Sequence, residues 1–354
     1  MRRTIFCLLT ALLTLTSQAR THTDSLLHNV RFSAAVGAYS YFDNLEFSGC
    51  EYTQSQTMAG IRISPELRLN WGEFRLAAGL HAQKRYGTPR FIDDFDFTAY
   101  FQWDRDKGRA RQRFLMGAFP RMGLLDNYSN LFFRDSICYR RPNLNGIFYQ
   151  ISGQNNFINL WLDWTGWQSA TERETFFIGL SGEQRVRLFR FELTGYYFHY
   201  ANTYPRSGDE CVHDNMQAQI TAGIDLYDGL LRRKRASDML TLKAGLMAGY
   251  ERKRDGTTPK KTPLGFVADL KAQLGPVGTH TIYYCGDRRQ TVVTDNHPAT
   301  YWGNPLLQSN SYLQSLWYYE LFNRQHVQAR IGWTFHLVGS ELYSQQSLQL
   351  SVRL

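Results

Sequence analysis

Beyond residue 20 this chain has no run approaching the roughly eighteen consecutive apolar residues that a membrane helix needs, and its mean hydropathy is −0.41. A helical membrane protein is excluded. The sequence also lacks His-Glu-x-x-His, a Gly-x-Ser-x-Gly elbow and a glycine-rich phosphate loop, so the common metallohydrolase, serine-hydrolase and nucleotide scaffolds have no motif here. On that ground the chain is expected not to be an enzyme and to need no cofactor or metal. His81, His199, His280, His326 and His336 stand singly in strand-like segments and are expected to line a lumen or an interfacial girdle. Cysteine is scarce, five in 354 residues, and one of these, Cys7, lies in the apolar run at the start.

What is present is alternation. From Ala59 to Trp71 the residues Ala59, Ile61, Ile63, Pro65, Leu67, Leu69 and Trp71 share one face of an extended strand, and Arg62, Ser64, Glu66, Arg68 and Asn70 share the other. After the Gly72-Glu73 turn, Phe74, Leu76, Ala78, Leu80 and Ala82 alternate with Arg75, Ala77, Gly79, His81 and Gln83. Strands of globular proteins usually run about five or six residues, whereas a tilted membrane strand needs about nine to eleven. Length and one-sided apolarity together predict strands facing lipid outward and a polar lumen inward.

The pattern recurs to the last residue. Phe95, Phe97, Ala99, Phe101 and Trp103 alternate with Asp94, Asp96 and Thr98, and Phe189, Phe191 and Leu193 alternate with Arg190 and Glu192. Met216 to Leu226 turns Asp225 inward, Phe266 to Gln273 turns Asp269 and Lys271 inward, and Val327 to Leu337 turns Arg330 inward. The periodicity predicts an all-β chain: a transmembrane antiparallel up-and-down barrel of about sixteen strands, within roughly fourteen to eighteen. Strand starts fall near Val30, Thr57, Phe74, Asp94, Arg111, Gly146, Phe157, Glu174, Val186, Met216, Leu240, Gly265, Val277, Tyr312, Gln325 and Ser347.

The connections alternate too. Gly72-Glu73, Asp106 to Gly108, Gly153 to Asn155, Gly182 to Gln184, Gly275-Pro276 and Asn323-Arg324 are brief and turn-like, whereas Asp43 to Ser55, Arg121 to Asn145, Asn202 to Asp214, Arg252 to Thr262 and Asp287 to Asn310 are long. Short periplasmic turns and long outer loops are the expected sides of such a barrel. In Arg121 to Asn145, Leu124, Leu125, Leu131, Phe132 and Phe133 are too apolar for a solvated tip, so this loop is expected to fold inward.

At the start, Arg2-Arg3, the apolar run Ile5 to Leu15 and the small residues of Ser17-Gln18-Ala19 predict a signal peptide over residues 1–19, leaving 20–354 as the barrel. The 40 basic residues less Arg2 and Arg3 leave 38 against 31 acidic ones, a mature charge of +7. The excess gathers at connections such as Arg232 to Arg235, and no nucleic-acid recognition motif accompanies it. Nucleic acid is not an expected partner. Aromatics make up 15% of the chain, as expected where rings gather at both bilayer interfaces.

The last strand alternates Leu348, Leu350, Val352 and Leu354 with Gln349, Ser351 and Arg353. It resembles the terminal signal of Gram-negative outer-membrane barrels, though Leu354 stands where that signal usually has Phe. The chain as a whole resembles outer-membrane porin-like barrels, and segments such as Phe133 to Asn143 and Trp161 to Thr165 are similar to barrels of Bacteroidota. The resemblance implies an outer-membrane location, lipid and the barrel-insertion machinery as partners, and small polar solutes as cargo; it says nothing of oligomeric state.

The inward charges carry the functional expectation. Arg62, Arg68, Arg75 and Arg113 form a basic wall and Glu66, Asp94, Asp96 and Asp163 belong to early acidic positions, with Arg190, Glu192, Asp225, Asp269, Lys271 and Arg330 contributed later. Segregated walls would set a transverse field across a diffusion pore for small hydrophilic solutes. The alternatives are a plugged barrel serving adhesion, assembly or export, and a barrel hydrolase whose Ser, His and acidic groups meet only in space. Cys50, Cys138, Cys211 and Cys285 fall in or beside outer loops, and an oxidising compartment permits Cys50 with Cys138 and Cys211 with Cys285 among three possible pairings.

Overall fold

The structure is a computed structural model that describes residues 30–208, 210–229, 231, 235, 237–292 and 303–354. The expected signal peptide and part of the Arg232 to Arg235 connection lie outside the described residues. Sixteen antiparallel strands, each pairing with its sequence neighbours, form a closed barrel. They are β1 (Arg31–Glu46), β2 (Gln56–Trp71), β3 (Phe74–Arg85), β4 (Asp94–Asp106), β5 (Arg111–Pro120), β6 (Asn143–Ser152), β7 (Asn156–Gly166) and β8 (Thr175–Val186). The second half comprises β9 (Phe189–Tyr200), β10 (His213–Asp225), β11 (Met239–Lys253), β12 (Leu264–Leu274), β13 (Val277–Gly286), β14 (Ser311–Asn323), β15 (Val327–Val338) and β16 (Glu341–Arg353). β1 closes on β16 from Gly37 opposite Arg353 to Glu46 opposite Ser344, so no edge is left unpaired in lipid.

The alternation maps onto the wall as polarity requires. Ile63, Leu67, Phe95, Phe97, Ile220 and Leu246 are exposed on the outside, and Arg62, His81, Gln102, Gln217 and Lys243 are buried inside. β6 and β10 each begin three residues before the expected start, at Asn143 and His213, and two differences are structurally larger. Gly182 to Gln184 is not a turn but part of β8, and the chain reverses instead at Arg187-Leu188, where Arg187 takes φ +54. β16 starts at Glu341 rather than near Ser347, directly after the two-residue Gly339-Ser340 turn. Both slips have one cause: a glycine within a strand and a polar strand start mimic turn chemistry.

The interior is plugged. The segment between β5 and β6 enters the lumen and forms a short helix, α1 (Ile137–Arg140). Leu131 and Phe132 are fully buried, and Leu125, Tyr128, Phe133, Ile137 and Tyr139 nearly so. All but Tyr139 pack on Phe119, Leu144, Phe148, Trp161, Phe177, Tyr196 and Phe198 of the wall, and Tyr139 packs on Tyr39 and Tyr41 of β1. The hydroxyl of Tyr128 faces the carbonyls of Leu180 and Gly195 at 2.9 and 2.8 Å and accepts from Trp161 Nε1 at 3.1 Å. A second segment, around the 3-10 turn Pro305–Gln308, meets it through Asn304 Nδ2 donating to the Asn130 carbonyl at 2.7 Å. Apolar side chains that would be exposed on a solvated loop thereby gain a dry core inside an otherwise polar lumen.

Candidate functional site

Inward alternation on β2 and β3 places Ser64 and His81 beside each other, and Pro120's partner Asn143, the first residue of β6, returns from the plug to meet them. Ser64 Oγ lies 2.7 Å from His81 Nδ1, and His81 Nε2 lies 3.0 Å from Asn143 Oδ1. Asn143 cannot turn its amide around freely, because Nδ2 donates to Asp96 Oδ2 and to the Phe97 carbonyl, both at 3.1 Å. With Oδ1 thus facing the ring, the tautomer assigned by the network has the proton on Nε2 and a lone pair on Nδ1. Nδ1 is then the acceptor for the Ser64 hydroxyl. This is the hydrogen-bond order of a base-activated serine with an amide orienting the base. Gly37 stands opposite Ser64 in register, so no β1 side chain covers the hydroxyl, which is half-buried.

Arg62, two residues before Ser64 on the same face, is 4% exposed. Its guanidinium lies over the Tyr39 ring, with Nη1 donating to the Cys138 carbonyl at 2.8 Å, while Nε has no partner among the described residues. Beside this group, Arg121 pairs with Asp163, both almost completely buried, and Arg121 Nη2 also donates to the Asn143 carbonyl at 3.2 Å. The two ends of the plug are thus tied to β7 at one point.

The remaining inward charges sit in local pairs rather than on segregated walls. Arg68 pairs with Glu66 at 2.5 Å and Arg113 with Asp104 at 2.9 Å. Arg190 reaches Asp225 and also Glu183 at 3.3 Å, and Lys243 reaches Glu192 at 2.7 Å and Asp269 at 3.5 Å. Register explains this: Asp104 faces Arg113 and Lys243 faces Asp269 directly across neighbouring strands. Arg75 bonds Asn70 at 2.7 Å, Asp94 pairs with Arg85 at the outer rim, and Arg330 lies 5.1 Å over the Tyr318 ring.

Two cavities flank the plug. The larger, about 780 Å³, extends among Lys271, His280, Arg330 and Arg353, and the smaller, about 420 Å³, among Asp43, Phe47, Gln56 and His336. Asn130, Arg134, Asp135 and Gln314 line both, so these four residues form the partition. Asp135 accepts from Asn130 Nδ2 at 3.1 Å. Its side chain borders both cavities, but the protein packed around it inside the barrel disfavours the charged form and pushes its carboxyl up, opposed by Arg330 and the Asn130 amide.

All four described cysteines are free thiols, so neither favoured disulfide forms. Cys138 went into the lumen with α1 beneath Arg62, while Cys50 stayed in the β1–β2 loop. Cys211 is buried with its carbonyl held by Arg173, and Cys285 is exposed at the end of β13. Proximity to an outer loop in sequence does not bring thiols within bonding reach when one loop turns inward.

A family model described as lipid A 3'-O-deacylase-type matches residues 24–353. The chain belongs to this family. Its description names an enzyme, which corrects the expectation of no enzymatic activity; that expectation rested on linear motifs, and an arrangement such as Ser64, His81 and Asn143 has none. Among solved structures, a loop-deletion form of OmpT, an outer-membrane protein of Vibrio cholerae, aligns over 92% of this chain and 100% of that one, at 8% identity and TM-score 0.51. An anion-selective porin from Comamonas acidovorans aligns over 92% and 99%, at 10% identity and TM-score 0.50. These likenesses are of fold: an outer-membrane sixteen-strand barrel resembling porins. No curated protein sequence matches the chain.

Proposed function

We propose that this deacylase-type family member is an outer-membrane hydrolase of acyl esters, with Ser64 as nucleophile, His81 as base and Asn143 as the residue that orients the base. The observation that carries the reading is the bond order Ser64 Oγ to His81 Nδ1 and His81 Nε2 to Asn143 Oδ1, at 2.7 and 3.0 Å. In the reaction Ser64 Oγ attacks the ester carbonyl as its proton passes to Nδ1. The ester C–O bond then breaks, and the leaving alkoxide takes that proton. Water, deprotonated by the same nitrogen, releases the acid and restores Ser64. Arg62, two residues from Ser64 on the same face and with an Nε–H that has no partner among the described residues, would stabilise the developing oxyanion. Because α1 covers Arg62, a long acyl chain would enter only as the plug segment shifts.

The test is covalent labelling of the folded mature chain with a fluorophosphonate, together with hydrolysis of a p-nitrophenyl acyl ester. Ser64→Ala should abolish labelling, and Ser64→Ala or His81→Ala should lower kcat at least about a thousandfold. Wild-type protein that takes no label, or variants that hydrolyse at the wild-type rate, would sink the assignment.

A second reading, passage of small polar solutes, is favoured by the two cavities meeting at Asn130, Arg134, Asp135 and Gln314. It predicts stepwise conductance in planar bilayers whose ion preference changes in Asp135→Asn. A correctly inserted barrel that stays electrically silent rejects it.

A further inference from the structure

Asp214 is a carboxylate on the lipid-facing side of β10. Further along that face Met216 and Ile220 are 44% and 65% exposed, as lipid-facing residues should be, whereas Asp214 is 4% exposed. Three groups cover it. Tyr197 donates its hydroxyl to Oδ1 at 2.7 Å, His199 Nδ1 lies 3.1 Å from the same oxygen, and Arg254 binds both oxygens, Nε to Oδ2 at 2.7 Å and Nη2 to Oδ1 at 3.0 Å.

Register fixes the layout. His199, Asp214 and Arg252 form one row across β9, β10 and β11, and Tyr197, Met216 and Tyr250 form the row nearer the membrane midplane. The row lies at the β9–β10 loop end of these strands, the end that also carries the inward-folding β5–β6 segment and the long β13–β14 connection, and long connections mark the outer side of such a barrel. Aromatic rings continue along the wall from it: Phe176 is 5.0 Å from His199, and Trp164 is 5.4 Å from Phe176. An ionised group on the lipid face of a barrel is costly and needs a reason. Here the carboxylate holds the Arg254 guanidinium by a bidentate bond, a geometry that leaves N–H groups of that fork pointing away from Asp214. Arg252 is exposed and makes no ion pair among the described residues. Two guanidinium groups against one carboxylate leave the patch cationic, at the height of the outer headgroups and directly bordering the aromatic belt.

We propose that this row docks the phosphate of an outer-leaflet lipid, with Arg252 and Arg254 on the phosphate and the acyl chains along Phe176, Trp164 and Met216. The occupant is a lipid and not a free ion because the patch opens toward the acyl layer. The site is on the opposite side of the wall from Ser64, so it stands apart from the hydrolase reading.

The experiment is native mass spectrometry of the full mature chain in detergent micelles, titrated with phosphatidic acid and with diacylglycerol of the same chains. The two lipids differ only by the phosphate. Wild-type protein should retain phosphatidic acid about tenfold over diacylglycerol, and Arg252→Gln with Arg254→Gln should bring the ratio close to one. Each single substitution should give an intermediate ratio, which keeps the test informative should the double variant misfold. Lys253→Gln, a change on the lumenal face of the same strand, should keep the full preference. Equal retention of the two lipids by wild type, an equal loss in Lys253→Gln, or displacement by inorganic phosphate at the same concentration as lipid would overturn the proposal. The measurement reads binding and not turnover, so its failure leaves the Ser64 assignment untouched.

Discussion

Arg121→Met should release the plug while leaving the barrel closed. Arg121 and Asp163 are 5% and 2% exposed and form an ion pair, and Arg121 also donates to the carbonyls of Arg141 and Asn143, at 3.1 and 3.2 Å. One side chain therefore joins both ends of the inward segment to β7. Removing it leaves Asp163 with one hydrogen-bond donor, the Asn145 N–H at 3.0 Å, and with Arg141 as a nearby cation outside ion-pair distance. Loss of one partner of a buried pair costs about 3–5 kcal/mol, because the remaining charge stays out of water. The sixteen-strand ladder makes no use of this bond, so the cost falls on docking of the segment and not on closure of the wall. Hydrogen exchange over Leu124 to Tyr139 should accelerate by roughly two to three and a half decades, taking 1.4 kcal/mol per decade, while exchange in β10 to β12 stays unchanged. Adding Asp163→Leu to Arg121→Met should restore part of the protection, since the isolated charge is then gone. Unchanged exchange in the plug of Arg121→Met, or equal acceleration throughout the barrel, would refute the reasoning.

Tyr128→Phe removes the acceptor of the Trp161 indole and the hydroxyl facing the carbonyls of Leu180 and Gly195; leaving the buried indole N–H unpaired should cost about 1–3 kcal/mol, read as faster exchange of the plug or its cleavage by protease. In the β3–β4 loop, hydrogen bonds from the Arg85 N–H and the Thr88 hydroxyl hold the Asp93 carboxyl below its ordinary range. A depressed folded value means that the contribution to loop order is complete above the unfolded value of about 3.9 and is lost as pH falls through the folded one. NMR signals of Thr88 to Phe91 should therefore broaden or shift only in acid, and Asp93→Asn should show the disordered pattern at neutral pH with little further acid change. A loop whose signals titrate identically in wild type and Asp93→Asn would contradict this.

The deacylase-type family assignment and the porin-like fold are compatible, because the wall and the site draw on different parts of the sequence. A barrel wall is a periodic object, and chemistry placed on its inner face carries no local signature. Ser64 and His81 look like any other inward positions of β2 and β3 until the register is known, and Asn143 is some sixty residues further on, arriving only because the plug ends there. The same holds on the outer face, where Asp214, His199 and Arg254 belong to three separate stretches and are joined only by strand pairing.

From sequence alone came the strands, their lipid and lumen faces, the alternation of short and long connections, and the inward turn of an apolar loop. These follow from interactions local along the chain: a period of two exposes one face to hydrocarbon, and a loop with Leu131, Phe132 and Phe133 cannot remain in water. Which charges pair, where the thiols end, and which serine meets which histidine were decided by tertiary structure. Those outcomes depend on strand register and on where the plug docks, and a shift of one residue would turn every inward side chain outward.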